Sequence, residues 1–169
     1  LQAKKYADVI YPFTVIRRLD CILEPTQKKV ISKYMVLKEQ GIKYFANNAF
    51  KFETGVEFYN NSNFTLSDLL NNPSNIKENF ISYLNGFSDN IQEIIDKFKF
   101  RQEINDLNSK NLLYLVAKKF CDPTLNLHPD VVSNHDMGYI FEELIRKYNE
   151  ATNENPGEHF TPREIIHLM

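Results

Sequence analysis

The sequence predicts a mainly α-helical domain, and three observations predict it. Apolar residues recur at the i, i+3, i+4, i+7 spacing of a single buried helical face in several separate stretches. Capping residues stand where these stretches begin. Short turns rich in Asn, Ser and Pro separate them. Together they imply an all-α, multi-helix domain in which helix packs on helix, with at most one small β-hairpin.

Ala3 to Leu23 reads as helix, interrupted or bent at Pro12, because proline removes a helix hydrogen bond and clashes with the preceding turn. Beyond it Phe13, Ile16, Leu19 and Leu23 form one apolar stripe, and Arg17, Arg18 and Asp20 point elsewhere. Pro25 stops the run. Thr26 is placed to cap a second helix that turns Val30, Ile31, Tyr34 and Leu37 inward and ends at Gly41. From Ile42 to Phe64 no period is clear. A small hairpin and an aromatic-rich loop both fit, and the alternation of Phe50 and Phe52 favours strand pairing between Asn47 and Asn61.

Thr65 with Asp68 three residues on resembles a capping box that opens a short helix through Leu69 and Leu70. Ile76 to Leu84 is helical by Phe80, Ile81 and Leu84, and Gly86 ends it. Ser88 caps the next segment, with Ile91, Ile94, Ile95 and Phe98 inward. Ser109 to Phe120 follows, carrying Leu112, Leu113, Leu115, Val116 and Phe120. Pro123 and Pro129 punctuate a loop. A last full helix begins near Asp136, with Met137, Ile140, Phe141, Leu144, Ile145, Tyr148 and Ala151 on one face. Asn153, Asn155, Pro156 and Gly157 end it. Then comes a dense helix-start signal. Thr161 is the N-cap, Pro162 takes the first helical position, Glu164 completes a capping box, and Phe160 and Ile165 form a hydrophobic staple.

The chain has 169 residues and a net charge of −2. That is one domain's worth of chain, long enough to bury roughly 70% of its unfolded surface. Near-neutral charge excludes a chain-wide basic field, so any contact with nucleic acid is local. Cys21 and Cys121 match no metal or redox spacing and read as reduced thiols of a cytoplasmic protein. The four histidines show no metal spacing, and His135 reads as a helix-entry residue. No apolar run approaches the ~20 residues of a membrane span, no signal peptide is visible, and no nucleophile–base pair stands out. The chain begins at Leu1 and ends at Met169, barely two turns into a new helix. It reads as a piece of a longer polypeptide.

Among basic residues, the Arg17–Arg18 pair is the candidate for DNA phosphate, set against a solvated or ion-paired face. Lys97, Lys99 and Arg101 interleave with Phe98 and Phe100, a pattern that can stack on nucleic acid but equally places the aromatics in a core. Lys118-Lys119 and Arg146-Lys147 are similar pairs.

Gly138-Tyr139, Glu142-Glu143-Leu144-Ile145 and then Gly157-Glu158-His159-Phe160-Thr161-Pro162-Arg163 resemble the modification subunit of type I restriction–modification systems. Tyr6-Ala7-Asp8-Val9-Ile10 and Ile16-Arg17-Arg18-Leu19-Asp20 look like the opening helices of the same family. The resemblance implies an N-terminal helical domain over residues 1–151. Residues 152–169 are then the linker and start of an α/β methyltransferase domain that uses S-adenosylmethionine to methylate adenine N6 in DNA. It carries Glu158, His159, Phe160, Thr161, Pro162 and Arg163 over as cofactor contacts, close at Phe160 to Arg163 and looser at Glu158 and His159. A helix start of this kind is an anion site, suited to the carboxylate of the cofactor's methionine end. The family's Asp-Pro-x-x-Gly-x-Gly loop and Asn-Pro-Pro-Phe tetrapeptide do not occur here. Asp122-Pro123-Thr124 lacks the glycines, and Asn72-Pro73-Ser74-Asn75 is a helix stop. No catalytic residue is therefore assigned, and this chain alone is expected to be inactive. The implied partners are double-stranded DNA, a DNA specificity subunit, a restriction subunit and a second copy of the modification subunit, with no membrane. The rival reading is a non-enzymatic helical interaction module whose Thr-Pro turn is only a cap.

Overall fold

A computed structural model of the chain describes residues 3–152. Helix α1 (Ala3–Leu23) is the element about which the others assemble, and it runs unbroken through Pro12. Every residue from Pro12 to Leu23 is buried. That packing offsets the roughly 3 kcal/mol by which an interior proline disfavours helix. Phe13 sits at the centre of the core, its ring 5.6 Å from that of Phe80 and 5.0 Å from those of Phe100 and Phe120.

A 3-10 turn (Glu24–Thr26) leads into α2 (Gln27–Glu39). Thr26 makes no cap; its hydroxyl donates back to the Leu23 carbonyl at 3.2 Å. The far end follows expectation. Gly41 adopts φ +85°, its N–H reaches the Lys38 carbonyl at 3.0 Å, and the Ile42 N–H reaches that of Leu37 at 3.1 Å. This is a Schellman ending that only a residue tolerant of positive φ accommodates well.

Of the two readings open between Asn47 and Asn61, a small hairpin or an aromatic-rich loop, the hairpin does not form; the loop carries a single helical turn, α3 (Lys51–Thr54). Phe50 is fully buried whereas Phe52 is 96% exposed, so the two rings face opposite ways without a strand. Phe50 joins Val30, Tyr59 and the partly buried Tyr34, Leu37 and Phe45 in a small second core under the loop. The Thr54 hydroxyl donates to the Phe50 carbonyl at 3.1 Å and helps to close the turn. Two alternating aromatics were too short a pattern to separate these outcomes. The nearest approach to a sheet among the described residues is one isolated bridge, Asn60 to Phe87. It explains Gly86, where an added Cβ would lie 2.3 Å from Asn60 Oδ1 and 2.7 Å from the Ser62 backbone nitrogen.

The Thr65–Asp68 capping box forms. The Thr65 N–H and hydroxyl both donate to the Asp68 carboxylate at 2.8 Å, and the Asp68 N–H returns to Thr65 Oγ1 at 3.2 Å. It opens a 3-10 turn (Asp68–Asn71) that buries Leu69. Helices α4 (Ile76–Asn85), α5 (Asp89–Lys97), α6 (Phe100–Ser109), α7 (Leu113–Phe120) and α8 (Asn134–Thr152) follow. Lys99 at φ +52° and Asn111 at φ +56° mark the breaks on either side of α6. The Phe100, Ile104, Leu107 stripe that buries α6 was legible in the sequence but unassigned. The start expected at Ser109 moves to Leu113.

Phe13→Ala and Phe50→Ala should each cost about 3–5 kcal/mol of stability, the scale of a buried Phe truncation. Phe52→Ala should stay within about 0.5 kcal/mol, as for an exposed site. Urea unfolding of the three variants checks the contrast; equal losses at positions 50 and 52 would contradict the helical turn.

Candidate functional site

The basic pair on α1 is internal. Arg17 and Arg18 are both buried. Arg17 donates from Nε to the Leu125 carbonyl at 3.1 Å and lies 3.5 Å from Asp20. Arg18 donates from Nη1 to the Leu127 carbonyl and, at 2.6 Å, to that of Val132, and from Nη2 to Asn134 Oδ1 at 2.8 Å. Its Nε is buried without a partner. The expectation that these guanidiniums reach DNA phosphate is thereby corrected. Their donors are spent on the loop between α7 and α8, because a buried charge must be neutralised or hydrogen-bonded. Nothing in the local sequence separates such arginines from a solvated pair, since the acceptors lie more than a hundred residues away.

Asp20 is the third buried ionisable group of α1. Its Oδ1 accepts the Leu66 N–H and the Tyr83 hydroxyl, each at 2.9 Å, tying α1 to the segment before the 3-10 turn and to α4. Burial dominates and pushes its carboxyl up to about 6, although both hydrogen bonds and Arg17 pull the other way. The Tyr83 phenol is raised well above its ordinary value, first by burial and then by Asp20.

The gripped loop delivers α8. The Ser133 hydroxyl donates to the Asp136 carboxylate at 2.6 Å, and the Asp136 N–H returns to Ser133 Oγ at 3.1 Å. This second capping box was present in the sequence as Ser133-x-x-Asp136 and was missed; it starts α8 two residues before Asp136. Met137 and Phe141 are then buried in the same core as Phe13, and Tyr148 is buried further along.

In the other basic stretches the aromatics and arginines are engaged, while Lys97, Lys99, Lys118 and Lys119 are exposed. Phe100 is fully buried and Phe98 packs against the core. Arg101 pairs with Asp96 and also bonds Asn85 and Gln92, and Arg146 is bound by Glu143 and Glu150. Cys21 and Cys121 are free thiols, both raised first by burial, Cys121 to about 11. Among the described residues no group of His, Cys, Asp and Glu could hold a metal ion, and no helix is long and apolar enough to cross a membrane. The cofactor candidates Glu158, His159, Phe160, Thr161, Pro162 and Arg163 lie outside the described residues.

The fold and its internal latch define a helical domain whose core continues into the helix leading to that motif. Two family models match the chain on either side of residues 121–131, within which lie Leu125 and Leu127, whose carbonyls Arg17 and Arg18 hold. One, described as HsdM N-terminal domain, matches residues 1–120, and another, described as N-6 DNA Methylase, matches residues 132–169. The first covers well over half of the chain, and the chain belongs to that family. Together the matches mark the N-terminal part of a type I restriction–modification methyltransferase subunit. Comparisons with curated proteins and with solved structures return no match.

Arg18→Met should lower stability by about 2–4 kcal/mol, since it leaves buried carbonyls unpaired, and Arg18→Lys should recover only part, lacking the planar fork. Hydrogen exchange should show the earliest loss at residues 125–134. Asp20 gives a pH signature. A carboxyl raised to about 6 in the fold favours the folded state when protonated. That contribution is full below the unfolded value and is lost as pH rises through 6. Lowering the pH from 7 to 5 should therefore stabilise the native chain relative to Asp20→Asn by about 1 kcal/mol. Denaturant titrations at the two pH values measure it, and a change of opposite sign would refute the assignment.

Proposed function

We propose that the complete subunit transfers a methyl group from S-adenosylmethionine to adenine N6 in DNA, and that residues 158–163 form one edge of its cofactor site. The observation that carries this reading is the Gly157–Arg163 stretch inside the segment matched to N-6 DNA Methylase. Thr161, Pro162 and Glu164 encode a helix start, whose free N–H groups and positive dipole suit a carboxylate. Glu158, His159, Phe160 and Arg163 complete the proposed contacts. S-adenosylmethionine, held at these residues, would supply a sulfonium-activated methyl group for transfer to the adenine amine. Reaching that amine requires the adenine to leave the base stack. The residues that grip it are not in this chain, so the chain alone is inactive.

The helical domain, residues 1–151, serves assembly and closure around double-stranded DNA, alongside a DNA specificity subunit, a restriction subunit and a second modification subunit in the cytoplasm. Its phosphate contacts come from exposed lysines rather than Arg17 and Arg18. Residues 152–169 form the entry to the methyltransferase domain.

Calorimetric titration of S-adenosylmethionine into the full-length enzyme tests the motif. Thr161→Ala should weaken binding about tenfold, the scale of one hydrogen bond, with an unchanged circular dichroism spectrum. Thr161→Ser should retain most of the affinity. Unchanged binding by Thr161→Ala, or tight binding by residues 1–169 alone, would refute the role.

A further inference from the structure

Five of the eight large apolar side chains exposed among the described residues, Met35, Val36, Ile42, Tyr44 and Phe52, lie on or between α2 and α3, and Phe52 and Tyr44 are 96% and 74% exposed. Grouped exposed apolar side chains mark an interaction site more often than scattered single residues do. Two of them, Val36 and Phe52, border a depression. Val36, Leu37 and Phe52 line an open groove of about 540 Å³, with Lys29, Ser32, Lys33 and Glu53 at its edge.

The groove has a built frame. Lys33 pairs with Glu53 at 3.0 Å and donates to the Ala49 carbonyl at 3.4 Å, joining α2 to α3. Leu37, Phe45 and Phe50 pack in the second core beneath it. The helix ends at Gly41 and Gly55 both use the left-handed conformation, which fixes where α2 and α3 stop. Phe52 is thus held in water by a turn whose other aromatic, Phe50, is fully buried.

The charged residues lining the groove are Lys29, Lys33 and Glu53, with Glu53 paired to Lys33; the wider segment of residues 27–57 carries six lysines against three glutamates in a chain whose net charge is −2. We propose that this face is a docking groove for an amphipathic helix of a partner protein, one whose apolar ridge is flanked by Asp and Glu. An apolar ridge at i, i+3, i+4 and i+7 packs along a groove lined by Val36, Leu37 and Phe52, and acidic flanks complement the lysines and steer the encounter. A phosphodiester backbone offers nothing to an apolar floor, and Lys33 already answers Glu53. A second copy docking face to face would set lysine against lysine.

The test places a photo-crosslinking amino acid at Ser32 of the full-length protein, in cells that also express its neighbouring genes. Mass spectrometry then maps the crosslinked residue. The expected product is one predominant crosslink to a protein segment with helical apolar period and Asp or Glu flanks. A synthetic peptide of that segment should bind the purified full-length protein, more weakly as salt rises. Val36→Ser with Phe52→Ser should reduce both crosslink and peptide binding at least tenfold, and Lys29→Glu should reduce them about threefold. These sites are exposed, so circular dichroism and S-adenosylmethionine binding should not change. A crosslink to DNA, to a second copy of this chain or to a basic segment would overturn the proposal. So would no crosslink, or binding indifferent to these substitutions. A mapped partner outside any restriction–modification complex would leave the groove standing and count against the assembly role proposed above.

Discussion

The guanidinium of Arg18 is the constraint on which the rest of this structure depends. Moving an ion from water into a protein interior costs several kcal/mol unless directed bonds replace its hydration. Among the described residues no carboxylate bonds Arg18. Its bonded acceptors are the carbonyls of Leu127 and Val132 and the amide oxygen of Asn134. Meeting that demand draws the loop after α7 down onto α1, with Arg17 securing it again at Leu125. The start of α8 is then determined, and Met137 and Phe141 enter the core that Phe13 organises. A helix matched to the methylase family is in this way built into the helical domain. The described part of the second family segment shares one hydrophobic core with the first.

Asp20 performs the complementary task on the other side of α1. Through the Leu66 amide and the Tyr83 hydroxyl it joins α1 to α4. Two buried arginines and one buried carboxyl on a single helix would be a poor arrangement if left unpaired. Each has found partners from distant segments, so α1 is surrounded on all sides while its polar side chains remain largely satisfied. The second core under α2 and α3 is smaller and separate. With only Val30 of α2 fully buried, that helix keeps a wide solvent face, where the apolar groove forms.

This separates the chain's tasks in space. Among the described residues, Arg17 and Arg18 join α1 to the loop before α8, and the groove lies on α2 and α3. Changes at the latch are expected to act through the placement of α8, whereas changes at the groove leave the core untouched. The thiols of buried Cys21 and half-buried Cys121, raised by their surroundings, pack in or against the core.

Local chemistry was enough for much of the domain. The Thr65–Asp68 box, the Gly41 ending and the inward faces of α4 and α5 depend on residues within a few positions of one another, so a single chain shows them. The same locality made Ser133–Asp136 and the α6 stripe readable, though they were passed over. The Thr-Pro motif of residues 158–163 lies outside the described residues, and its reading as a helix start rests on the sequence alone. Tertiary structure decided what depends on distant partners. Pro12 stays inside a helix because burial on all sides outweighs one missing hydrogen bond. Phe50 and Phe52 part company because a second core accepts only one of them. Arg17 and Arg18 face inward because their acceptors arrive from residues 125–134. Periodicity records which side chains prefer to leave water; it holds no record of which distant carbonyl will meet a charge, and that pairing is made only when the chain folds.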